Sequence, residues 1–219
     1  MAAVRVEVVS DVVCPWCYIG KRRFERALND LRQTLPDLAI EVRWRAYQLD
    51  PNAPIDSATP VSEAYAKRFG GPERAQEILQ QVTATAAAEG IVFDLKRALR
   101  ANTRRAHQLL KFVENHAPEL QGAVNESLMA AYFNEGSDIG DPRVLTRCAQ
   151  RAGFEHPDLV HMLSGADDRW SKLVAEDLLW AAERDITAVP TFVIDDAMVI
   201  PGAQDTSTFV RILQRMASR

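Results

Sequence analysis

The chain has 219 residues, of which 47% are hydrophobic, and can bury the core of one large or two small domains. Its formal net charge of −4 at pH 7 gives no global attraction for nucleic acid. No apolar segment approaches the length of a transmembrane helix, and the first residues alternate valine with charged residues, unlike a signal peptide. Three cysteines are too few for a disulfide scaffold. We therefore expect a cytoplasmic protein whose thiols rest mainly reduced, with no nucleic-acid or membrane partner.

The most informative motif is Cys14-Pro15-Trp16-Cys17, which follows a predicted strand at residues 4–9. Apolar residues at helical spacing come next, so the motif should begin a helix with Pro15 at its first position, where a missing N–H costs little. The free N–H groups and the positive end of the helix dipole favour a thiolate at Cys14, which makes it an attacking sulfur. Cys17, one turn further in, is placed to resolve a mixed disulfide. Trp16 is interpreted as a contact surface for substrate, with packing as the alternative.

Two cysteines at this spacing are also half of a zinc site. The candidate partners, Cys148 and the pair His156 and His161, lie more than a hundred residues downstream, far beyond the usual finger spacing. The motif is therefore interpreted as a redox site without a metal. Cys148 shares an apolar helical face and is expected to be a buried, inert thiol, with a third redox role as the alternative.

Positive charge occurs in two places that bear on this site. Lys21, Arg22 and Arg23 would stabilise a thiolate if they pointed back toward Cys14, although a solvated face is the default for such a run. A second group is interpreted as a solvated helix face, with attraction of an anionic thiol such as glutathione as the alternative. Its members are Lys96, Arg97, Arg100, Arg104, Arg105 and Lys111.

The remaining elements follow from periodicity and from proline and glycine punctuation. Alternation predicts a second strand at residues 40–47, and a proline-rich loop follows it up to Pro60. From residue 61 to about 184 the pattern is almost wholly helical. A β-rich run at 187–194, a tight turn at 195–196, a strand at 198–200 and a closing helix at 208–216 complete the chain. Helices within the long segment are expected to start near Pro72, Asn102 or Thr103, Pro118, Asp141-Pro142, and Asp167 or Asp168.

This order predicts an α/β core interrupted by an all-helical insertion, and the motifs resemble the thioredoxin fold of the DsbA family. The longer match is similar to the FrnE branch of that family, which is grouped with 2-hydroxychromene-2-carboxylate isomerases and kappa-class glutathione transferases. It covers essentially the whole chain. The segments that carry it are residues 11–21 (DVVCPWCYIGK), 102–107 (NTRRAH), 189–192 (VPTF) and 202–204 (GAQ).

The resemblance implies a fold, boundaries and roles. A thioredoxin-like domain with a mixed sheet would comprise residues 1–55 and 185–219, and the helical insertion residues 56–184. Cys14 matches the nucleophilic cysteine and Cys17 the resolving one. Pro190 matches the proline held cis beside the site, and the backbone of Val189 would pair with an extended substrate or with glutathione. Without the resemblance, Pro190 would be interpreted as an ordinary edge-strand proline.

Two further positions gain a role from the resemblance. His107, with Asn102 as its companion for polar contacts, is expected to line the cleft between core and insertion and to shuttle protons. A satisfied core histidine is an equally good interpretation. Asp205 is interpreted as a helix cap, with a grip on the amino group of glutathione as the alternative.

The sequence thus predicts a thiol–disulfide oxidoreductase whose redox-active disulfide joins Cys14 and Cys17 and which needs no bound cofactor. Pro15, Trp16, Asn102, His107, Val189 and Pro190 are the candidate substrate-binding residues. Its partners would be disulfide-containing proteins or small thiols, glutathione among them, and a dimer is one option for its oligomeric state. The first alternative is a glutathione-dependent isomerase or transferase acting on aromatic or polyketide-like molecules. The second is a chaperone module that binds unfolded peptides.

Overall fold

The computed structural model describes residues 3–55 and 58–218. Its strands are β1 (Val4–Ser10), β2 (Ile40–Ala46), β3 (Thr59–Pro60), β4 (Leu99–Arg100), β5 (Thr191–Ile194) and β6 (Met198–Pro201). Its helices are α1 (Pro15–Thr34), α2 (Ser62–Phe69), α3 (Pro72–Ala88), α4 (Arg104–His116), α5 (Gln121–Phe133), α6 (Pro142–Arg151), α7 (Leu159–Leu163), α8 (Arg169–Ala182) and α9 (Thr206–Ala217). No helix in this part of the chain is both long enough and apolar enough to cross a membrane.

The main sheet is mixed and has the strand order β2-β1-β5-β6 within the described residues. β1 runs parallel to β2, with Val8 opposite Trp44, and antiparallel to β5, with Val8 also opposite Phe192. β5 and β6 form a hairpin through Asp195 and Asp196, whose positive φ angles of 48° and 58° match the predicted tight turn. The strands come from the two ends of the chain, so the expectation of a mixed sheet interrupted by an insertion is confirmed.

Helix α1 joins two hydrophobic cores. Its later turns carry Phe24 and Leu31 into a core shared with the sheet and with α9, where Phe24 and Phe192 rings lie 5.1 Å apart. Its first turn, with Cys17 and Tyr18, belongs instead to the core of the helical segment between β2 and β5. The motif at the start of α1 therefore lies where the two parts of the fold meet.

Buried charges also tie the helices to the sheet. The Asp177 carboxylate on α8 accepts hydrogen bonds from Arg45 Nη1 at 2.8 Å and from the backbone N–H of Ala46 at 3.0 Å, both on β2. It also pairs with Lys111 Nζ of α4 at 2.6 Å. Asp177 and Lys111 are almost fully buried, so neither has solvent available to replace a lost partner.

The structure differs from the sequence-based expectations in three details. In the segment between residues 61 and 184, which is otherwise helical as predicted, the two-residue strand β4 pairs with β3 in a small antiparallel sheet. Pro118 begins a short 3₁₀ helix (Pro118–Leu120) before α5. The β-rich run at 187–194 becomes a strand only from Thr191, since Pro190 has no N–H for a ladder hydrogen bond. The predicted domain ends at residues 1, 56 and 219 lie outside the described residues, and the boundaries stay a prediction.

Candidate active site

Cys14 is the residue that precedes the first turn of α1. Its backbone is extended, with φ −89° and ψ 116°, and its carbonyl accepts the first helical hydrogen bond, from Cys17 N–H at 3.0 Å. Pro15 occupies the first helical position, and the first turn carries no acidic residue. The helix N-terminus therefore keeps its partial positive charge, which favours a negative sulfur at Cys14.

The two thiols of the motif lie close together, are not bonded to each other, and differ in environment. Cys14 is 4% exposed and Cys17 only 1%, whereas Trp16 between them is 43% exposed. Burial raises the pKa of Cys17 well above its ordinary value, and a hydrogen bond with Cys14 and the negative charge there raise it further. The Cys17 thiol therefore stays protonated at neutral pH until its sulfur takes part in a reaction.

The segment at Val189 and Pro190 lies directly against Cys14. The peptide bond between the two residues is cis, and Cys14 Sγ donates a hydrogen bond to the Val189 carbonyl, with 3.6 Å between sulfur and oxygen. Gly20 lets α1 approach this segment, because a Cβ atom there would lie 3.0 Å from Pro190 Cγ. Cys14 and Val189, which are 175 positions apart in the chain, thus lie side by side at the candidate site.

His107 is buried below the motif and not at the surface of a cleft. Its Nε2 lies 3.1 Å from Oδ1 of Asp11, a fully buried carboxylate three residues before Cys14. Asp11 Oδ2 accepts a hydrogen bond from the N–H of Leu49 at 2.8 Å. The hydrogen-bond partner of His107 is thus Asp11, and a joint role of His107 and Asn102 in polar contacts stays a prediction.

Asn102 instead connects the loop after β2 with the start of α4. Its side-chain amide donates to the carbonyl of Ala53 at 2.9 Å, and its side-chain oxygen accepts from the N–H of Arg104 at 2.9 Å. This is the geometry of a residue that satisfies a free N–H of a helix start. Asn102 and His107 are both buried, and their contact with a substrate stays a prediction.

The positive residues after the motif are compensated by carboxylates. Lys21 is buried and pairs with Glu25 at 2.5 Å and with Glu126 at 2.7 Å, and Arg22 also binds Glu126. These cations and Tyr18, which donates a hydrogen bond to Glu126, hold the pKa of this glutamate below its ordinary value although burial acts in the opposite direction. The expectation of a solvated face is therefore wrong for Lys21, and its charge serves the packing of α1 against α5.

The third residue of this run, Arg23, lies near Asp205 at the start of α9. Arg23 Nε binds Glu89 at 2.6 Å, and Arg23 Nη1 lies 3.2 Å from the Asp205 carboxylate. Asp205 is the N-cap residue of α9, as expected, but its side chain makes no capping hydrogen bond. It is largely exposed, and its contact with a glutathione amino group stays a prediction.

The second group of basic residues does not form one surface. Lys111 is buried in ion pairs with Glu114 and Asp177, while Lys96 and Arg97 are exposed. Arg100 lines a cleft and pairs with Asp50 at 2.7 Å. Arg100 thus lies at a place that fits the predicted attraction of an anionic ligand.

That cleft has a volume of about 730 Å³ and begins at Val13, next to Cys14. Tyr65 of α2 and Tyr132 of α5 form part of its wall, and Arg68 contributes a further cation. Burial raises the pKa of Tyr65, and a negative charge on Cys14 raises it further. A cleft of this size accommodates a small organic ligand or a short peptide segment.

Cys148 lies on α6, where its thiol donates to the carbonyl of Ser127 at 3.7 Å. It is 1% exposed, and burial raises its pKa, so the expectation of a buried thiol is confirmed. Among residues 3–55 and 58–218, no group of three or more histidine, cysteine or acidic side chains is arranged to hold a metal ion.

Sequence reasoning missed Ser10, Asp11 and Tyr65 as residues around the thiols. Asp11 lies three residues and Ser10 four residues before Cys14 in the chain, and this proximity was the available signal. Tyr65 lies about fifty residues away on a helix with ordinary amphipathic spacing, and nothing in the local sequence distinguishes it.

The fold and the paired thiols define a thioredoxin-like protein of the DsbA class. Residues 5–214 match the family model described as a DSBA-like thioredoxin domain, and the chain belongs to this family. A curated relative, the uncharacterized protein YwbO from Bacillus subtilis, is 29% identical over 213 residues, which are 96% of each chain.

Among solved structures, the chain is similar to the probable DsbA oxidoreductase SCO1869 from Streptomyces coelicolor. The identity is 30% and the TM-score 0.87, with 99% of this chain and 91% of the other covered. A 2-hydroxychromene-2-carboxylate isomerase shares the fold at 18% identity and a TM-score of 0.65, with 97% of this chain and 95% of the other covered. The cytosolic disulfide reductase DsbM from Pseudomonas aeruginosa, solved with GSH, also shares the fold. Here the identity is 15% and the TM-score 0.66, with 98% of this chain and 100% of the other covered.

Proposed function

We propose that this protein is a thiol–disulfide oxidoreductase that uses Cys14 as nucleophile and Cys17 as resolving thiol. The observation that carries the proposal is the position of Cys14 at the uncompensated N-terminus of α1, with its sulfur against the Val189 carbonyl and a protonated Cys17 one turn inside. Membership of the DsbA-like family supports a reaction of this kind.

The reaction proceeds in two exchange steps. The Cys14 thiolate attacks one sulfur of a substrate disulfide, which forms a mixed disulfide and releases the other substrate sulfur as a thiolate. Cys17 then loses its proton and attacks the Cys14 sulfur, so that the Cys14–Cys17 disulfide forms and the second substrate sulfur leaves. The substrate disulfide is reduced by two electrons, and the two protein thiols are oxidised. The reverse sequence oxidises a substrate dithiol, and neither direction needs a bound cofactor.

The substrate would contact the face around the motif. Trp16 is the exposed side chain of the first turn, and Pro15 lies beside it. The backbone of Val189, next to Pro190, lies close enough to Cys14 to pair with an extended substrate segment. Proteins with accessible disulfides and small disulfides such as oxidised glutathione both fit this arrangement. We place the protein in a reducing compartment, the cytoplasm, in keeping with DsbM, which is described as a cytosolic disulfide reductase.

The first experiment is the reduction of insulin disulfides with dithiothreitol as the electron source. The wild type should accelerate the reaction, Cys14→Ser should not, and Cys17→Ser should accumulate a mixed disulfide that mass spectrometry detects. Cys148→Ser is the matched control and should retain activity, because this thiol is buried in the helical segment. Normal turnover by Cys17→Ser, or equal rates with and without wild-type protein, would contradict the proposal.

A second candidate is a glutathione-dependent isomerase. The observation that favours it is the cleft beside Val13, whose wall carries Arg68, Arg100 and Tyr65, in a fold shared with an isomerase. It requires stable binding of glutathione and an isomerisation that survives Cys17→Ser, which separates it from disulfide exchange. The chaperone alternative stays a prediction, and it requires suppression of aggregation by a variant without Cys14 and Cys17.

A further inference from the structure

The resolving step poses a specific chemical problem, and its solution rests on the proposed function. Cys17 must lose a proton before its sulfur attacks the mixed disulfide, yet it is only 1% exposed. Burial raises its pKa, so the thiolate does not form spontaneously at neutral pH. A proton acceptor inside the protein would remove this barrier.

Ser10, the last residue of β1, provides the first polar group next to Cys17. Its hydroxyl acts to lower the pKa of Cys17, which favours the thiolate. Ser10 is 4% exposed, and its Oγ makes no hydrogen bond of ordinary geometry. A buried hydroxyl without a partner is costly, so its placement calls for a further polar group.

A small cavity adjoins Ser10. Its volume is about 10 Å³, and Ser10, His107 and Asn125 are among the polar residues that line it. Asn125 Oδ1 is also buried and without a hydrogen-bond partner. Roughly 10–15 Å³ of such volume is enough for one water molecule, and a buried water needs two to four polar partners. Ser10, Asn125 and the His107 ring meet this requirement.

His107 is held in this position by Asp11. When Nε2–H donates to Asp11 Oδ1, at 3.1 Å, the lone pair of the neutral ring is on Nδ1. The Asp11 carboxylate accepts a second hydrogen bond from Leu49 N–H. Its negative charge, held beside the ring, stabilises the imidazolium that forms when the ring accepts a proton.

The other charged groups around the cavity are already paired. Arg45 of β2 binds Glu7 and Asp177, and Lys111 of α4 binds Glu114 and Asp177. Tyr132 of α5 has its pKa raised, mainly by burial and in part by the negative charge of Asp11. These groups are cations without basic lone pairs, paired carboxylates or a weakly acidic phenol. His107 is the side chain lining the cavity that offers a basic ring nitrogen.

We propose that one water molecule in this cavity connects Ser10 to His107, and that His107 accepts the Cys17 proton during resolution. The Cys17 proton passes to the Ser10 hydroxyl, whose own proton moves through the water to the ring. The Cys17 sulfur forms its bond to Cys14 as the bond from Cys14 to the substrate sulfur breaks, and the substrate leaves as a thiolate. In the reverse direction the imidazolium returns the proton to Cys17.

Ellman's reagent separates the two steps in a stopped-flow experiment in the Cys148→Ser background. The reagent first reacts with Cys14 and releases one thionitrobenzoate, and Cys17 then releases the second. His107→Gln retains a donor for Asp11 but removes the base. It should leave the first phase unchanged and slow the second about 100-fold at neutral pH. The deficit should shrink as the pH rises, because hydroxide then takes the proton from Cys17 directly.

His116→Gln is the matched control, since this histidine lies on the same helix and hydrogen-bonds the Phe112 carbonyl, away from Asp11 and the cavity. Ser10→Ala removes a hydroxyl without an ordinary hydrogen bond and should also slow the second phase. This variant replaces His107→Gln as the test if His107→Gln does not fold. An unchanged second phase, or one slowed equally at every pH, overturns the proposal. A wild type with no second phase contradicts the exchange mechanism itself, and that result is distinct from a defect confined to the variants.

Discussion

At the scale of single residues, two thiols of the same chemical type acquire different reactivity from their surroundings. Cys14 lies at a helix start that has no acidic residue, whereas Cys17 lies one turn further in, against Cys14, Ser10 and Asp11. Burial disfavours the charged form of Cys17 and leaves its neutral form stable. This difference in surroundings makes Cys14 the first to react and Cys17 the second, although the two side chains have the same covalent structure.

This asymmetry predicts the outcome of alkylation. Iodoacetamide should modify Cys14 of the folded, reduced protein at neutral pH, and should leave Cys17 and Cys148 unmodified, because burial raises the pKa of both. The thiolate is the form of cysteine that reacts with iodoacetamide. Because the pKa of Cys17 is raised, this residue should be labelled only at pH values well above about 8.5, where an ordinary thiol ionises. Mass spectrometry counts the labels. Two labels at neutral pH on folded protein would contradict the assignment.

At the scale of elements, helix α1 determines where the site lies. Its first turn packs in the helical segment and its later turns pack on the sheet, so the helix start is held from both sides. Gly20, one turn after the motif, brings this helix against Pro190 and Ala203. The distance between the motif and the Val189–Pro190 segment is thus set by the absence of one side chain.

Gly20→Ala should therefore destabilise the fold and slow disulfide exchange. The new Cβ atom would lie 3.0 Å from Pro190 Cγ and 3.3 Å from Ala203 Cβ, which forces the helix and the segment apart. Overpacking of this kind costs about 1–3 kcal/mol in the free energy of unfolding, measured by urea denaturation. Gly122→Ala is the control, since its Cβ would meet only Trp44 Nε1 at 3.7 Å. A Gly20→Ala protein as stable and active as the wild type would show that the contact between Gly20 and Pro190 has room for a methyl group, and would contradict this prediction.

At the scale of the whole molecule, the sheet and the helical segment are joined by charge as well as by apolar packing. Asp177 on α8 is shared by Arg45 of β2 and Lys111 of α4. Arg45 also pairs with Glu7 and Lys111 with Glu114, so removing Asp177 takes from each buried cation one of its two carboxylates. The network borders the cavity under His107, so its integrity also maintains the surroundings of the thiols.

Asp177→Asn should lower the free energy of unfolding by about 3–5 kcal/mol, since it leaves Lys111 and Arg45 buried without their shared carboxylate. Chemical denaturation measures the loss. The control is Glu135→Gln, which breaks the exposed pair with Arg151 and should cost roughly 0–1 kcal/mol. Similar effects of the two substitutions would contradict the assignment of Asp177 as a buried connector.

The sequence by itself determined the features that depend on neighbouring residues. The strand, the cysteine motif and the helix that follows were predictable from alternation, from Pro15 and from apolar spacing. Most helix starts followed from proline and capping residues, as at Asp141, whose side chain accepts a hydrogen bond from Arg143 N–H. These signals act over a few residues, so they can be recognised without knowledge of the rest of the chain.

Only the tertiary structure decided which distant groups meet. Val189 lies beside Cys14, His107 binds Asp11, and Lys21 is buried between carboxylates. A histidine or lysine on an amphipathic helix has the same local signature whether it faces solvent, a carboxylate or a cavity. Its partner is set by how the elements pack, which depends on the shape of the whole core and not on the nearest residues.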